Sequence, residues 1–192
     1  MERVEQGVLF RAQTGDLDAF TAIVQAYEDQ LYTLAFRFLS NSAEAQDAVQ
    51  ETFLRVYTQL RRYDERFKFT TWLYRIATNV CIDRLRKRKA VSSLDAEVTD
   101  GVESLQDWHE RLASPDPSPE DLLMQSETCN EVQRALGDLP PLYQTVIILR
   151  YIQELSLQEI SDVLHVPITT VKTRIHRGRE ALKELLARAP VS

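Results

Sequence analysis

Lys172, Thr173, His176 and Arg177, with Arg179 beside them and Thr170 just ahead, form the densest group of side chains able to read a base edge. In a major groove, Lys and Arg reach guanine O6 and N7 or a phosphate, and Thr or His can donate to base edges. On a helix these residues lie opposite Val171, Ile175, Gly178, Leu182 and Leu185, which recur at steps of three and four. Upstream, Leu157, Ile160, Val163 and Leu164 repeat at helical spacing. His165-Val166-Pro167 interrupts them, and Thr169 or Thr170 is placed to cap the next helix. Two short helices joined by a tight turn, the second basic in its N-terminal half, predict a helix-turn-helix reader of duplex DNA. His165 occupies the turn position where Gly is common, so a positive φ is expected there.

A second group lies in the first half of the chain. Arg66, Lys68, Arg75, Asn79 and Arg86 are interleaved with Tyr63, Phe67, Phe69, Trp72 and Tyr74. Unstacked bases can sit on aromatic surfaces while basic groups hold the backbone, so the mixture suits single-stranded or opened nucleic acid. Trp72 is assigned to the core. For Tyr63 to Phe69 a buried cluster and an exposed stacking surface fit equally well. Catalysis finds no support: His109, His165 and His176 lie far apart without an acidic or nucleophilic partner at catalytic spacing, and no Gly-rich phosphate loop is present. Cys81 and Cys129 lack metal-ligand spacing and read as buried thiols of a reducing compartment.

The elements that must carry these groups are all helical. Gly is scarce, apolar-periodic stretches dominate, and 44% hydrophobic with 27% charged residues fits a folded protein of 192 residues. The apolar runs are too short for a transmembrane helix, and the acidic, polar N-terminus argues against a signal peptide. A short helix should end at Gly15-Asp16. Asp16 should then cap a long helix with Phe20, Ile23, Val24, Tyr27, Leu31, Leu34, Ala35 and Phe38 inside. Ser42 reads as the next N-terminus, followed by apolar Ala45, Ala48, Val49, Thr52, Phe53, Val56 and Leu60, with Asp47, Gln50, Glu51 and Arg55 outside. Arg61 to Phe69 reads as a loop, and Thr70 or Thr71 as the cap of a third long helix.

The net charge of −6 divides unevenly along the chain. Residues 61–89 are strongly basic, residues 90–139 oppose many Asp and Glu only with Arg111 and Arg134, and the end is mildly basic again. The layout predicts two nucleic-acid surfaces on two small helical domains, 1–89 and 120–192, joined by an acidic, partly extended linker at 90–119. The acidic segment should repel phosphates, so the chain alone should bind DNA weakly.

Taken together, three motifs resemble the bacterial extracytoplasmic-function (ECF) sigma factors of RNA polymerase, with a likeness to the sigma-W type. Asp47-Ala48-Val49-Gln50-Glu51-Thr52-Phe53 is similar to the family's polymerase-gripping region. Phe69-Thr70-Thr71-Trp72-Leu73-Tyr74-Arg75-Ile76-Ala77-Thr78-Asn79 is similar to its promoter-opening region. Val166-Pro167 through Val171-Lys172-Thr173-Arg174-Ile175-His176-Arg177-Gly178-Arg179-Glu180 is similar to its minus-35 reader. The family often carries an aromatic residue where this chain has His176. The resemblance implies that Asp47, Gln50, Glu51 and Phe53 meet the β′ clamp helices, while the second domain also meets the β flap. It implies that Tyr63, Arg66, Phe67, Lys68 and Phe69 capture a flipped minus-10 base, with Arg75, Asn79 and Arg86 along the strand. Thr170, Lys172, Thr173, His176, Arg177 and Arg179 would touch the minus-35 element. It further implies a cytoplasmic initiation factor of an envelope or stress response. Such a factor has no catalysis, cofactor, metal, small-molecule substrate or membrane insertion of its own, and is paired with an anti-sigma factor that is often membrane-anchored. The rival reading is a dimeric helix-turn-helix repressor, which would bind palindromic duplex sites unaided.

Overall fold

The computed structural model describes the backbone of residues 5–92 and 119–188, and among these residues it is helical with no strand. Helix α1 (Gln6–Gln13) turns at Gly15, whose φ of 101° suits a residue without a Cβ. The 23-residue α2 (Leu17–Leu39) follows. Its N-terminus is capped as expected: the Asp16 carboxylate accepts from the amides of Asp18 and Ala19. Ser40, at φ 54°, closes it in a left-handed cap. The cap of α3 (Ser42–Gln59) is Asn41, which accepts from the Glu44 amide, rather than Ser42. A 3₁₀ turn, Leu60–Arg62, leads into the loop before α4 (Phe69–Ser92). That helix begins at Phe69, with the Trp72 amide bonded to the Lys68 carbonyl. Thr70 and Thr71 therefore lie within its first turn, not ahead of it. It also runs past the boundary expected at Lys89.

In the second half, α5 (Pro119–Asp138) and α6 (Pro141–Ile147) are separated by Leu139-Pro140, and α6 continues as a π turn at Ile148–Ile152. The helix-turn-helix is α7 (Leu157–Leu164) and α8 (Ile168–Arg188). A capping box starts α7: Ser156 and Glu159 each accept from the other's backbone amide. His165 ends it at φ 51°, as the turn demanded. Helix α8 starts earlier than the threonines suggested, with the Val171 amide bonded to the Pro167 carbonyl. Gly178 is buried against α6; a Cβ there would come within 3.0 Å of Ile147 Cγ1, so the absent side chain lets the two helices close.

Helix α2 is the common support, touched by α1, α3, α4, α5 and the π turn. Its buried Ile23, Leu31, Leu34 and Phe38 share one core with Val56 of α3, Leu60 of the 3₁₀ turn, and Leu73, Ala77 and Val80 of α4. The two halves are not apart. That core continues without a break into Val146, Ile148, Leu149, Ile160, Val163 and Val171 of the second module. Val146 to Leu149 come from α6 and its π turn, which leans on α2, and Ile160 and Val163 from α7, which lies on α4. A smaller cluster of Leu136, Leu139 and Ile147 completes the second module. The acidic stretch 93–118 and its expected extension lie outside the described residues. Removing the carboxylate in Asp16→Ala should lower unfolding stability by about 1 kcal/mol, with Asp16→Asn close to the parent, read as the shift of a urea midpoint.

Candidate nucleic-acid interface

The loop between the 3₁₀ turn and α4 is built on an aromatic floor. Tyr63 and Phe69 are buried, their rings 5.5 Å apart edge to face, and Trp72 and Tyr27 pack beside them. The Tyr63 hydroxyl donates to the Phe67 carbonyl, and the Gln13 amide donates to the carbonyls of Leu60 and Tyr63 at 3.3 and 3.1 Å. Phe67, by contrast, is 63% exposed at the tip of the loop. The even choice left open for this stretch resolves by position. Tyr63 and Phe69 are packed into the core at 8% and 7% exposure, so most of each ring is held by its neighbours. Phe67 is the ring left outside.

Arg66 is exposed and forks onto Asp64, whose carboxyl is pulled below its ordinary range chiefly by that side-chain hydrogen bond. Asn79 and Arg86 are exposed on the outer stripe of α4, and Arg75 is half-buried there. Between this loop and the second module lies a cleft of about 700 Å³, walled by Tyr63, Phe67 and Lys68 on one side and Leu155 and Glu159 on the other. Phe67 and Lys68 thus stand at the rim of a cavity able to receive a planar group.

The helix-turn-helix presents a cleaner face. Lys172, Thr173, His176, Arg177 and Arg179 are all exposed and Thr170 is half-buried, while Val171, Ile175 and Gly178 point inward. His176 sits 3.6 Å from Glu180 one turn on, and Thr173 donates back to the Thr169 carbonyl. Arg177 lies with Thr170 and Thr173 along a shallow cleft against Leu142 and Tyr143.

On α3, Asp47 and Gln50 are exposed, and Glu51 is partly covered. Glu51 receives hydrogen bonds from Arg55 at 2.6 Å and Arg84 at 3.0 Å. Burial alone would raise its carboxyl, but these two guanidiniums win and hold it below the ordinary value. It ties α3 to α4. Phe53 is a correction: only 8% exposed, it faces the core and has no ring surface to offer a partner. Its neighbour Leu54, 68% exposed, occupies the outer face with Gln50 and Glu51, and was missed. Helical spacing could have found it, since it lies three and four residues beyond those two. Cys81 is buried, its thiol pushed up to about 12 chiefly by burial, whereas Cys129 is only half-buried.

A helical module with an aromatic-floored loop, packed against a helix-turn-helix whose outer face is basic, has the architecture of a DNA-binding protein. Residues 23–91 match the sigma-70 region 2 model and residues 129–182 the sigma-70 region 4 model. The chain is 47% identical to the ECF RNA polymerase sigma factor SigW of Bacillus subtilis, over 97% of its length and 98% of that protein's. It is 34% identical to the RNA polymerase sigma-H factor of Pseudomonas aeruginosa, covering 95% and 93%. The fold superposes on CnrH, solved in complex with the cytosolic domain of CnrY, with a TM-score of 0.71, 25% identity and coverage of 97% and 99%. For RpoE of Bartonella quintana, solved with the anti-sigma factor NepR, the TM-score is 0.66 at 20% identity, over 89% of this chain and 98% of that one. The chain therefore belongs to the sigma-70 family of RNA polymerase sigma factors, in its ECF class.

Glu159 supplies the test of the site's electrostatics. Its carboxyl, ordinarily near 4.5, is held at about 2, first by the hydrogen bond from Lys68 and then by Ser156 of the capping box, against some burial. A depressed carboxyl stabilises the fold above its unfolded value and loses that contribution as the pH falls through the folded one. The bridge should be intact above about pH 4.5 and dissolve toward pH 2. In an NMR carboxyl titration, Lys68→Ala should raise the Glu159 midpoint more than Ser156→Ala does.

Proposed function

We propose that this chain carries core RNA polymerase to promoters by reading two elements with its two modules and helps open the duplex between them. The exposed face of α8 is the observation that carries this reading. Five exposed polar or basic side chains, with Thr170 half-buried beside them, stand over an apolar inner face on the helix that a helix-turn-helix sends into the major groove. We assign Thr170, Lys172, Thr173, His176, Arg177 and Arg179 to the minus-35 element. Arg66, Phe67, Lys68, Arg75, Asn79 and Arg86 are assigned to the minus-10 strand. Phe67 replaces Tyr63 and Phe69 as the ring that meets an unstacked base. Asp47, Gln50, Glu51 and the exposed Leu54 form the surface for the polymerase. The modules are placed at 1–89 and 120–192, with the tether at 90–119.

The chain itself performs no covalent step. Its work is binding: each base drawn out of the stack costs a few kcal/mol, regained in the cleft and along the backbone. No helix among the described residues is long and apolar enough to cross a membrane, and the reading places the protein in the cytoplasm beside its polymerase. Two solved proteins of this fold were captured with a protein partner, CnrH with the cytosolic domain of CnrY and RpoE with the anti-sigma factor NepR, which supports an anti-sigma partner here. The response it serves would be one to envelope or other stress.

Run-off transcription with core polymerase on a promoter library should give discrete starts only when the chain is added. Absence of any stimulated start would reject the reading. Arg177→Ala should lose about 1–3 kcal/mol of discrimination between the native and a scrambled minus-35 element, measured by competition binding of the holoenzyme. Phe67→Ala should leave that discrimination intact while reducing permanganate-reactive thymines in the opened region.

A further inference from the structure

Burying an aromatic ring is favourable, yet Phe67 stays 63% exposed while Tyr63 and Phe69, on either side of it, are buried. The backbone behind it explains the difference. Residues 64–67 form a tight turn, with the Phe67 amide bonded to the Asp64 carbonyl at 3.1 Å. Three side chains act on that turn. Asp64 accepts from the Arg66 amide at 3.0 Å and from the Arg66 guanidinium. The Gln13 amide of α1 donates to the Leu60 and Tyr63 carbonyls, where the turn begins. The Tyr63 hydroxyl donates to the carbonyl of Phe67 itself, at the far end.

These contacts differ in weight. The Arg66 side chain is 85% exposed, so its pair with Asp64 competes with water and salt. Tyr63 is held instead by packing, with Phe69 and Trp72 at ring-centroid distances of 5.5 and 5.1 Å. Its para hydroxyl lies on the axis about which the ring turns, so a ring flip leaves the oxygen in place. Burial, then Glu65 and Asp64, push the phenol above its ordinary value, and at neutral pH it keeps the proton it donates. A buried tyrosine hydroxyl finds a partner as a rule. Here the partner is the carbonyl of an exposed residue, so the bond fixes where that residue stands.

We propose that the Tyr63 hydroxyl, with the Gln13 amide behind it, is a positioning group that keeps the turn preformed and the Phe67 ring outward, so that the minus-10 strand meets a ready stacking surface. The proposal rests on the assignment of Phe67 to that strand. It divides Tyr63 into two roles: the ring belongs to the core, and the hydroxyl serves the strand through Phe67. A ring already in place loses less freedom when a base stacks on it, which strengthens binding without any added contact.

The test measures holoenzyme affinity for a single-stranded minus-10 oligonucleotide with Tyr63→Phe, which deletes one oxygen and keeps the ring, with Phe67→Ala, and with both. Phe67→Ala should weaken binding about tenfold or more, the loss of one stacked base. Tyr63→Phe should weaken it about fivefold, the population shift that one ordinary hydrogen bond controls. Added to Phe67→Ala it should change nothing further, because it acts through that ring alone. Affinity for a minus-35 duplex should stay within about twofold; an equal fall there marks general damage and overturns the proposal. If Tyr63→Phe lacks the parent's helix content by circular dichroism, Gln13→Met takes its place in the same cycle, with a smaller loss expected. Parent affinity in Tyr63→Phe beside a weakened Phe67→Ala overturns the proposal, and so do two losses that multiply in the combined variant. If Phe67→Ala binds like the parent, the strand assignment fails instead. The brace itself is then read from the NMR order parameter of the Phe67 amide, which Tyr63→Phe should lower from about 0.85 toward 0.6; an unchanged value overturns it.

Discussion

Helix α2 is the constraint on which the rest depends. It packs against α1, α3 and α4 of its own module and against α5 and the π turn of the other. Every module of the protein is therefore referenced to a single rod. The Ser40 amide returns to the Phe36 carbonyl, Arg88 reaches the Leu39 carbonyl at 3.4 Å, and Gln144 takes those between. A buried carbonyl left unmet costs roughly 1–3 kcal/mol, whereas a met one contributes only about 1. The turn is thus far more sensitive to losing a partner than to exchanging one for water.

The interface between modules mixes two kinds of contact with different consequences. Val146, Ile148, Leu149 and Ile160 extend the apolar core across it, and that area favours closure in any polar solvent. Gln144 and the Lys68–Glu159 pair add direction more than strength, since Lys68 is 64% exposed and its ion pair is screened. Charge also sets the character of the cleft. Glu65, Glu154 and Glu159 line it together with Arg66 and Lys68, so it offers phosphates a mixed field.

Much of the local architecture was legible in the residue order. Asp16 and His165 behave as read, because a cap or a left-handed turn is decided by the few residues around it. The apolar spacing of α2, α3 and α8 picks out their buried faces for the same reason. Start points were less secure: Lys68 and Pro167 precede their helices, and the threonines that looked like caps fall inside the first turns. The Ser156–Glu159 box has the spacing of a local signal, three residues apart.

The sequence by itself settled the all-helical class and the family likeness, since periodicity and motif order are local properties of the chain. It could not say which aromatic of Tyr63, Phe67 and Phe69 stays outside, nor that Phe53 turns inward while Leu54 turns out. Those outcomes depend on what covers each ring. Nor could spacing reveal that Gln133 meets Phe36 or that His165 meets Arg75. Such partners lie some ninety residues apart along the chain, and only the docking of one module on the other brings them within bonding distance.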